Sequence, residues 1–290
     1  VMSKVLLCDG HNLAFRAFYG IRELNRSDGF PTNMIHGWLR TLWRLEDDMQ
    51  PDELCVFFDK GGSPRREQIL PDYKANRGAP PEGFTEQLEW VKKLTEALGY
   101  FSFDMTGLEA DDLIASAVRQ KEDPAVKLII VSADKDLAQL VAPNTSQLLP
   151  PPTANPRLGW RTLNEEGVKD KFGVPPSGIL DYLSIIGDQS DNIPGLTGVG
   201  PKTAVKWLLE YENLEGVIEN AGRLNPKRFC SVVYENRELL MMNRELIRLE
   251  GEVEFEIPKP KRVNLMQLKE ILLKMEMNKS WEEAQKRYAE

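Results

Sequence analysis

Acidic residues recur at positions where a parallel sheet would bring them together. Three apolar runs, VLLC, CVFF and IIVSA, are each followed at once by an aspartate, namely Asp9, Asp59 and Asp134. Functional groups gather at the carboxyl ends of strands in an open parallel sheet, so we expect these aspartates to share one edge. A single aspartate in such a place is usually a turn former or a helix N-cap. Three of them, on three strands, favour a common site.

Further acids extend this set, and their type predicts the ion that they would hold. They lie at a predicted helix start (where acids also favour the helix dipole), beside Asp134 and in the segment GDQSDN: Glu109, Asp111, Asp112, Asp136, Asp188 and Asp191. Two carboxylates ~4 Å apart repel by ~4 kcal/mol at an effective dielectric constant near 20. Either the acids are therefore scattered in the fold, or metal ions hold them together. Because His11 and His36 are isolated, the all-oxygen set favours Mg²⁺ or Mn²⁺ over zinc.

The segment GLTGVGPKT, which begins at Gly195, is glycine-rich and precedes a predicted helix. Backbone N–H groups at such a turn bind anions. The segment matches the helix-hairpin-helix pattern, in which backbone amides contact a DNA phosphate, and it lacks the spacing of a Walker loop. A glycine turn alone is often a cap between two helices. Next to GDQSDN, it indicates a polyphosphate or nucleic-acid substrate.

The elements that must position these residues are those of an α/β protein. Five strands are predicted, at KVLLCD, LCVFFD, GYFSFD, KLIIVSAD and TSQLL, and they alternate with helical segments. The proline-rich segment PPPTANPRLGW follows, and the pattern after Leu163 is helical. We therefore expect an α/β catalytic domain over residues 1–162 and a helical DNA-binding region over residues 163–290.

Composition sets the compartment and restricts the partners. No apolar run approaches the ~18 residues of a membrane span, and two of the three cysteines lie in apolar strands, so we expect a cytoplasmic protein that binds no membrane. A net charge of −8 opposes the binding of nucleic acid. However, the segment from Lys60 to Arg77 carries five basic and two acidic residues, a net charge of +3. Such a basic run is often a solvated loop, and it is informative about function only in combination with the acidic residues.

Five segments in order, VLLCDGHNLAFRAFY, VFFDKGGSPRREQILPDYKANR, GLEADDLIA, VSADKDLAQL and GDQSDNIPGLTGVGPKTA, resemble successive motifs of the 5′-nuclease (flap endonuclease) family. The similarity is greatest to the 5′→3′ exonuclease domain of bacterial DNA polymerase I. It implies a PIN-like 5′-nuclease fold with a mostly parallel sheet, a helical arch and a helix-hairpin-helix. It also implies a metal-dependent 5′→3′ exonuclease and flap endonuclease in primer removal or repair. The chain resembles a stand-alone nuclease or an excised domain.

The resemblance also implies metal ligands and phosphate contacts. The first of two ions would have these ligands, the last two through water: Asp9, Asp59, Asp111, Glu109 and Asp112. The second ion would be surrounded by these residues, the last in an outer position: Asp111, Asp134, Asp136, Asp188 and Asp191. Contacts at the scissile phosphate would come from the base of the arch and from the helix after Asp9: Tyr73, Lys74, Arg77 and Arg16. The arch is short in this chain.

The remaining implications concern the grip on the substrate. DNA contacts away from the cut would involve these residues: Arg65, Arg66, Gly195, Gly198, Gly200, Lys202 and Thr203. A potassium ion would sit at the glycine turn. The expected partners of this monomer are DNAs with 5′ flaps, nicks or free 5′ ends, including RNA-primed duplexes.

Two other functions remain open at this point. One is an RNA nuclease of the PIN-like fold, and the other is a catalytically silent protein that binds branched DNA. The glycine turn argues against the first, because such RNA nucleases usually lack a helix-hairpin-helix. The complete set of acids argues against the second, because carboxylates hinder simple binding of phosphates.

Overall fold

A six-stranded sheet lies at the centre of the computed structural model, which describes residues 2–121 and 123–289. The strands follow the order β3-β2-β1-β4-β5-β6, and all neighbours are parallel except β6, which runs antiparallel to β5. Their bounds are β1 (Ser3–Asp9), β2 (Glu53–Phe57), β3 (Phe101–Phe103), β4 (Val126–Val131), β5 (Thr145–Leu149) and β6 (Arg161–Leu163). The predicted α/β class and mostly parallel sheet are confirmed. Strand β6, which follows the proline-rich segment, was not predicted.

Strand β1 lies in the middle of the sheet because its apolar run can be covered on both faces. Val5, Leu6 and Leu7 have no exposed surface. Its neighbours β2 and β4 run parallel to it on either side, so the chain leaves all three strands at the same edge. A sheet whose strand order reverses at a central strand opens a crevice at that edge. The residues that follow β1, β2 and β4 therefore meet there.

Helices cover both faces of the sheet, and a further group of helices packs around a core of its own. Their bounds are α1 (Gly10–Gly20), α2 (Asn33–Met49), α3 (Pro64–Ile69), α4 (Phe84–Ala97), α5 (Ala110–Gln120), α6 (Glu165–Phe172), α7 (Pro176–Ile186), α8 (Pro201–Tyr211), α9 (Leu214–Glu219), α10 (Cys230–Glu235), α11 (Arg237–Ile247), α12 (Leu265–Lys274) and α13 (Asn278–Arg287). Helices α1, α2 and α4 pack on the face with Leu6 and Cys8, and α5 packs on the opposite face. Helices α6 to α11 surround a separate core that contains Trp207.

The last two helices return to the α/β part of the molecule. Leu272 of α12 lies in the same core as α2 and α4. Residues 250–264 form an extended strap that leads there, and Phe255 in this strap stacks on Phe103 with ring centroids 4.7 Å apart. Apolar contacts thus join the last helices to the α/β part, and the division of the chain at residues 162 and 163 stays a prediction.

The segment expected to form a helical arch differs from that expectation. No helix spans residues 70–83, which form turns at 71–76 and 82–83 with a loop at 77–81 between them. The helix that follows, α4, buries Leu88 and Val91 in the core beside α2. Prolines and glycines in GAPPEG disfavour a helix, so only the turns and the loop face the edge of the sheet.

The cysteines agree with the predicted buried thiols. Cys8 and Cys55 are buried in neighbouring strands, and these two and Cys230 are free. In the part of the chain that the structure describes, no helix has both the length and the apolar character needed to cross a membrane. The cytoplasmic location stays a prediction.

Gly10 allows α1 to begin directly above the sheet and so places Asp9. A Cβ at Gly10 would lie 2.5 Å from the Phe58 ring and 2.7 Å from the carbonyl oxygen of Phe57. We expect Gly10→Ala to lower the free energy of unfolding by about 1–3 kcal/mol because overpacking displaces the core. Gly20→Ala is the matched control, since a Cβ at this end of α1 would meet nothing within 4 Å. Urea unfolding compares the two, and equal stabilities would contradict this account.

Candidate active site

Three aspartates from three elements meet at the edge of the sheet and form triad A: Asp9, Asp111 and Asp134. Each offers a carboxylate oxygen within 4.8 Å of the others. Asp9 ends β1, Asp111 lies in the first turn of α5, and Asp134 follows β4. Asp9 and Asp134 also cap local structure, because they accept hydrogen bonds from the backbone N–H groups of Asn12 (3.3 Å) and Asp136 (3.0 Å). Capping and clustering therefore coexist in the same side chains.

A second group, triad B, consists of Asp136, Asp188 and Asp191, whose oxygens also lie within 4.8 Å of one another. All three side chains are buried. Asp188 follows α7 and caps a short 3-10 turn that contains Asp191. The resemblance assigned Asp134 to the second ion and Asp191 to an outer position. The structure instead groups Asp134 with triad A and includes Asp191 in triad B.

Burial and mutual repulsion disfavour the charged form of these carboxylates. Burial, together with the charge of Asp134, raises the pKa of Asp9 to about 7. The same causes raise the pKa values of Asp111 and Asp136 well above the usual range. Burial also raises the pKa of Asp191 to about 6. The site thus accumulates unfavourable charge that a cation would relieve.

The chemistry of the ligand atoms suits divalent metal ions. The buried Oδ1 atom of Asp136 has no hydrogen-bond partner among residues 2–121 and 123–289. A buried carboxylate oxygen without a partner is costly, and a metal ion would satisfy it. Both triads consist of carboxylates alone, which hard cations such as Mg²⁺ and Mn²⁺ prefer. Triads A and B therefore fit divalent ions of this kind.

Asp59 lies beside triad A but outside it. Its Oδ1 accepts a hydrogen bond from the backbone N–H of Ala110 at 2.6 Å, which satisfies a free donor at the start of α5. It lines a cavity of about 720 Å³ together with Asp9 and Asp111. Asp59 thus supports Asp111 through α5, and its role as a metal ligand stays a prediction.

Glu109 accepts hydrogen bonds from three neighbouring side chains. Its Oε1 accepts from the Tyr73 hydroxyl at 2.7 Å and from Arg66 Nη1 at 3.0 Å. Its Oε2 pairs with the Lys74 ammonium. Burial alone would raise the pKa of Glu109, but Lys74 and Arg66 hold that pKa below its ordinary value. Glu109 therefore remains ionised beside triad A.

Arg66 and Asp112 are buried partners, and their roles in DNA contact and metal binding stay predictions. The Arg66 side chain is 4% exposed and donates to both Asp112 oxygens, at 2.7 and 2.8 Å. It also donates to the carbonyl oxygens of Leu246, in the last turn of α11, and of Arg248, directly after that helix. Arg65 is half-buried and donates to the same Arg248 carbonyl at 3.2 Å. Neither arginine lines the cavity, because both are taken up in holding α3 to the segment after α11.

The turn at residues 71–76 is fastened to the loop that carries triad B. The backbone N–H of Lys74 donates to the Asp191 carbonyl at 2.9 Å, and Arg77 Nη2 lies 2.7 Å from Asp191 Oδ1. Lys74 has a φ of 56°, in the left-handed region of backbone conformation that residues other than glycine seldom adopt. Lys74 and Arg77 both line the cavity. The structure therefore brings these two cations beside the carboxylates.

Arg16 lies on α1 but does not line the carboxylate cavity. Its Nε donates to the Pro151 carbonyl at 2.7 Å, and its guanidinium lies 5.8 Å from the centre of the Trp160 ring. It lines a separate groove beside these residues. The contact with Pro151 holds Arg16 at this other groove, and its contact with the scissile phosphate stays a prediction.

The glycine-rich segment forms the turn between α7 and α8. Gly195 packs so closely on the end of α7 that a Cβ there would overlap the backbone, and Gly198 has a φ of 79°. Gly200 is the N-cap of α8, and a Cβ there would meet nothing within 4 Å. The first turn of α8, with Lys202 and Thr203, begins directly after it, where backbone N–H groups lack helical partners. Internal packing thus requires glycine at 195 but not at 200.

Two supporting residues were not expected from the sequence. The Ser132 hydroxyl donates to Asp9 at 2.8 Å and accepts from the Asp134 N–H at 3.0 Å. Lys135 Nζ lies 3.6 Å from Asp188 Oδ1. Lys135 could have been found, since it stands between two of the candidate acids. Ser132 gave no such signal, because its contact depends on the pairing of β4 with β1.

Comparisons with known proteins cover nearly the whole chain. The family model described as 5′-3′ exonuclease, N-terminal resolvase-like domain, matches residues 4–173, and that described as 5′-3′ exonuclease, C-terminal SAM fold, matches residues 174–278. The 5′-3′ exonuclease of Aquifex aeolicus is 34% identical over 289 residues, which cover 98% of this chain and 96% of that protein. DNA polymerase I of Synechocystis sp. is 39% identical over 228 residues, which cover 76% of this chain and 23% of that protein.

A solved structure shares the fold. T5 D15 flap endonuclease, in a pseudo-enzyme-product complex with DNA and metal ions, superposes with a TM-score of 0.72 at 22% identity. The match covers 94% of this chain and 99% of that chain. At this identity, the likeness establishes the fold alone.

The ion pair between Arg66 and Asp112 generates a stability prediction. We expect Arg66→Met to lower the free energy of unfolding by about 3–5 kcal/mol, because it leaves Asp112 buried without its cationic partner and removes one donor to Glu109. Arg65→Met is the matched control. Its partner Glu250 is partly exposed, so we expect a loss of about 0–1 kcal/mol. Urea unfolding followed by circular dichroism measures both, and similar losses for the two variants would show that the buried pair has no special weight.

Proposed function

Because the chain belongs to the 5′-3′ exonuclease family, we propose that it uses divalent metal ions to hydrolyse phosphodiester bonds at the 5′ ends of DNA. The observation that carries this proposal is the convergence of triads A and B at one edge of the sheet, beside Lys74 and Arg77. A phosphodiester brings oxygen ligands and negative charge, so its cleavage needs both metal ions and cationic side chains.

The substrate that we infer is DNA with a 5′ flap, a nick or a free 5′ end, including a duplex that carries an RNA primer. The enzyme would act as a 5′→3′ exonuclease and as a flap endonuclease, in primer removal or repair. The family supports the direction of cleavage, and the relative solved with DNA is named a flap endonuclease. The turn-and-loop segment at residues 71–82 borders the site and would meet the 5′ strand.

Two ions, Mg²⁺ or Mn²⁺, would be held by triads A and B, with Asp59 and Glu109 adjoining. When bound, such ions activate water for attack on phosphorus and stabilise the leaving oxygen. Asp111 and Asp136 would contribute their oxygens from rigid positions, because both are built into helical turns. Hydrolysis of the phosphodiester would leave a 5′-phosphate on one product and a 3′-hydroxyl on the other.

Cationic side chains complete the site. Lys74 and Arg77 line the cavity and would donate hydrogen bonds to phosphate oxygens as negative charge develops on them. Tyr73, for which a phosphate contact is predicted, is also engaged with a carboxylate. Its buried hydroxyl donates to Glu109, so it would orient that carboxylate.

The glycine turn would hold the DNA duplex away from the cut. Its first helical turn offers backbone N–H groups to a phosphate, and Lys202 and Thr203 add side chains there. Open space at Gly200 leaves room for close approach of the DNA backbone. A potassium ion at this turn is part of the proposal, on the resemblance of GLTGVGPKTA to the helix-hairpin-helix.

Cleavage tests the function directly. We expect purified protein to cut labelled flap and nicked DNA in Mg²⁺ or Mn²⁺, to cut nothing in EDTA, and to bind with little cleavage in Ca²⁺, whose looser coordination misaligns the reacting groups. Asp111→Asn should abolish cleavage because it removes a charged oxygen from triad A. Asp48→Asn is the control, since Asp48 is an exposed acid near the end of α2, at the opposite edge of the sheet.

Cleavage in EDTA, or by Asp111→Asn at the wild-type rate, would contradict the metal-dependent reaction. Cleavage of RNA but not DNA would support a PIN-like RNA nuclease. Binding of branched DNA without cleavage in any metal would support a silent binding protein.

A second test separates the grip on DNA from the chemical step. Gly200→Val should mainly raise the Kd for flap DNA in Ca²⁺, because its side chain occupies the space left for the phosphate. Lys74→Ala should mainly lower the single-turnover rate in Mg²⁺, by ~10²-fold if it acts like other donors to developing charge. Gly222→Val is the control for Gly200→Val, since a Cβ at Gly222 also meets nothing within 4 Å. Normal binding by Gly200→Val, or normal cleavage by bound Lys74→Ala, would contradict this division of roles.

A further inference from the structure

Lys74 and Arg77 are engaged with carboxylates rather than free in the cavity. The Lys74 ammonium pairs with Glu109 and lies 4.0 Å from Asp191 Oδ1. Arg77 Nη2 lies 2.7 Å from the same Asp191 oxygen. These carboxylates belong to triad B or border triad A, which are the sites proposed for metal ions. A cation held on a carboxylate cannot give its full charge to a phosphate.

The cations are distributed unevenly between the two triads. Within residues 2–121 and 123–289, every ion pair that reaches a triad member goes to Asp188 or Asp191 of triad B. These pairs come from Lys74, Arg77 and Lys135. Triad A has none in the same residues. A divalent ion that enters triad B must therefore compete with the cationic side chains that already neutralise the carboxylates of this triad.

The backbone around Lys74 is anchored, whereas its side chain can move. The Lys74 N–H donates to the Asp191 carbonyl at 2.9 Å, and its carbonyl accepts from the Arg77 N–H at 3.0 Å. Asn192 also fastens this turn, since its side-chain amide donates to the Asp72 carbonyl at 2.8 Å. Lysine carries its charge on a flexible four-carbon stem. Rotation of that stem alone can move the ammonium from the carboxylates into the cavity that Lys74 lines.

On the basis of the proposed function, we infer that Lys74, assisted by Arg77, is the internal counter-cation of Glu109 and triad B and is displaced by a divalent ion. The ion takes over neutralisation of the carboxylates, and the released ammonium becomes available to the phosphate of the substrate. The divalent ion brings two positive charges where the ammonium brought one, so the carboxylates stay neutralised when the ammonium leaves them. The cationic contact to phosphate is thereby available only when the metal site is filled.

This exchange has a consequence that opposes the usual effect of damaging an active site. Removal of Lys74 eliminates a competitor of the metal ion, so it should tighten metal binding while it slows cleavage. A lysine that contacts only the substrate would leave metal affinity unchanged. A lysine that merely supports the fold of the site would weaken metal binding when it is removed.

The test is calorimetric titration of MnCl₂ into protein stripped with EDTA, at constant pH and ionic strength and without DNA. We expect Lys74→Met to bind Mn²⁺ about tenfold more tightly than the wild type, because a unit charge close to the carboxylates is lost. Lys74→Arg keeps the charge and should stay within about twofold of the wild type. Lys92→Met is the control for a charge that does not contact the site carboxylates, since Lys92 pairs with its helical neighbour Glu89 at 3.8 Å and does not line the cavity.

Thermal unfolding in EDTA and in Mn²⁺ shows whether Lys74→Met folds, and its midpoint should rise more with Mn²⁺ than that of the wild type. If Lys74→Met does not fold, Arg77→Met provides the same test with a smaller tightening, since half of that side chain is exposed. Unchanged or weaker Mn²⁺ binding by the folded variant would overturn the inference and leave the proposed function intact. Equal tightening by Lys92→Met would also overturn it. Failure of the wild type to bind Mn²⁺ would instead overturn the proposed metal dependence.

Discussion

Carboxylates gathered at one edge of the sheet repel one another, and the surrounding structure offsets this repulsion in several ways. Triads A and B, with Asp59 and Glu109 beside them, place eight acids in this region. A single pair 4 Å apart costs ~4 kcal/mol at an effective dielectric constant near 20. Backbone N–H groups donate to Asp9, Asp134 and Asp188, cations reach triad B and Glu109, and the pKa values of the least compensated aspartates rise. Divalent ions would relieve the remainder.

The contacts that compensate the carboxylate charge also join the helical region to the α/β part of the chain. Arg66 neutralises Asp112 and donates to Glu109 while it binds the carbonyl groups that follow α11. Lys74 and its neighbours similarly join the turn at residues 71–76 to the loop that leads into the glycine turn. The helical region is therefore attached to the sheet through polar contacts at the site itself. Any displacement of the helical region would move the carboxylates. The proposed contact with the duplex and the geometry of the proposed metal site are therefore coupled.

An acidic protein can act on DNA under these conditions because its cationic contacts are local. The chain has a net charge of −8, which disfavours general attraction to phosphate. The glycine turn supplies backbone N–H groups, whose effect does not depend on net charge. Lys74 and Arg77 line the carboxylate cavity, where negative charge would develop during the proposed cleavage. Specific placement thus replaces the broad basic surface of many DNA-binding proteins, and metal ions would reverse the sign of the site when they bind.

The sequence by itself determined the parallel strands, the aspartates after them and the glycine turn, because each depends on neighbouring residues: apolar runs, polar chain ends and glycine at a tight turn. The carboxylate set also sufficed to predict a site for hard divalent ions. Only the tertiary structure decided which of these aspartates form one triad: Asp134 joins Asp9 because β4 lies beside β1, whereas Asp59 lies outside and accepts from the Ala110 N–H. It likewise decided that Arg66 is buried against Asp112, a residue 46 positions away. Side chains so far apart in sequence meet according to strand order and helix packing, which no local pattern records.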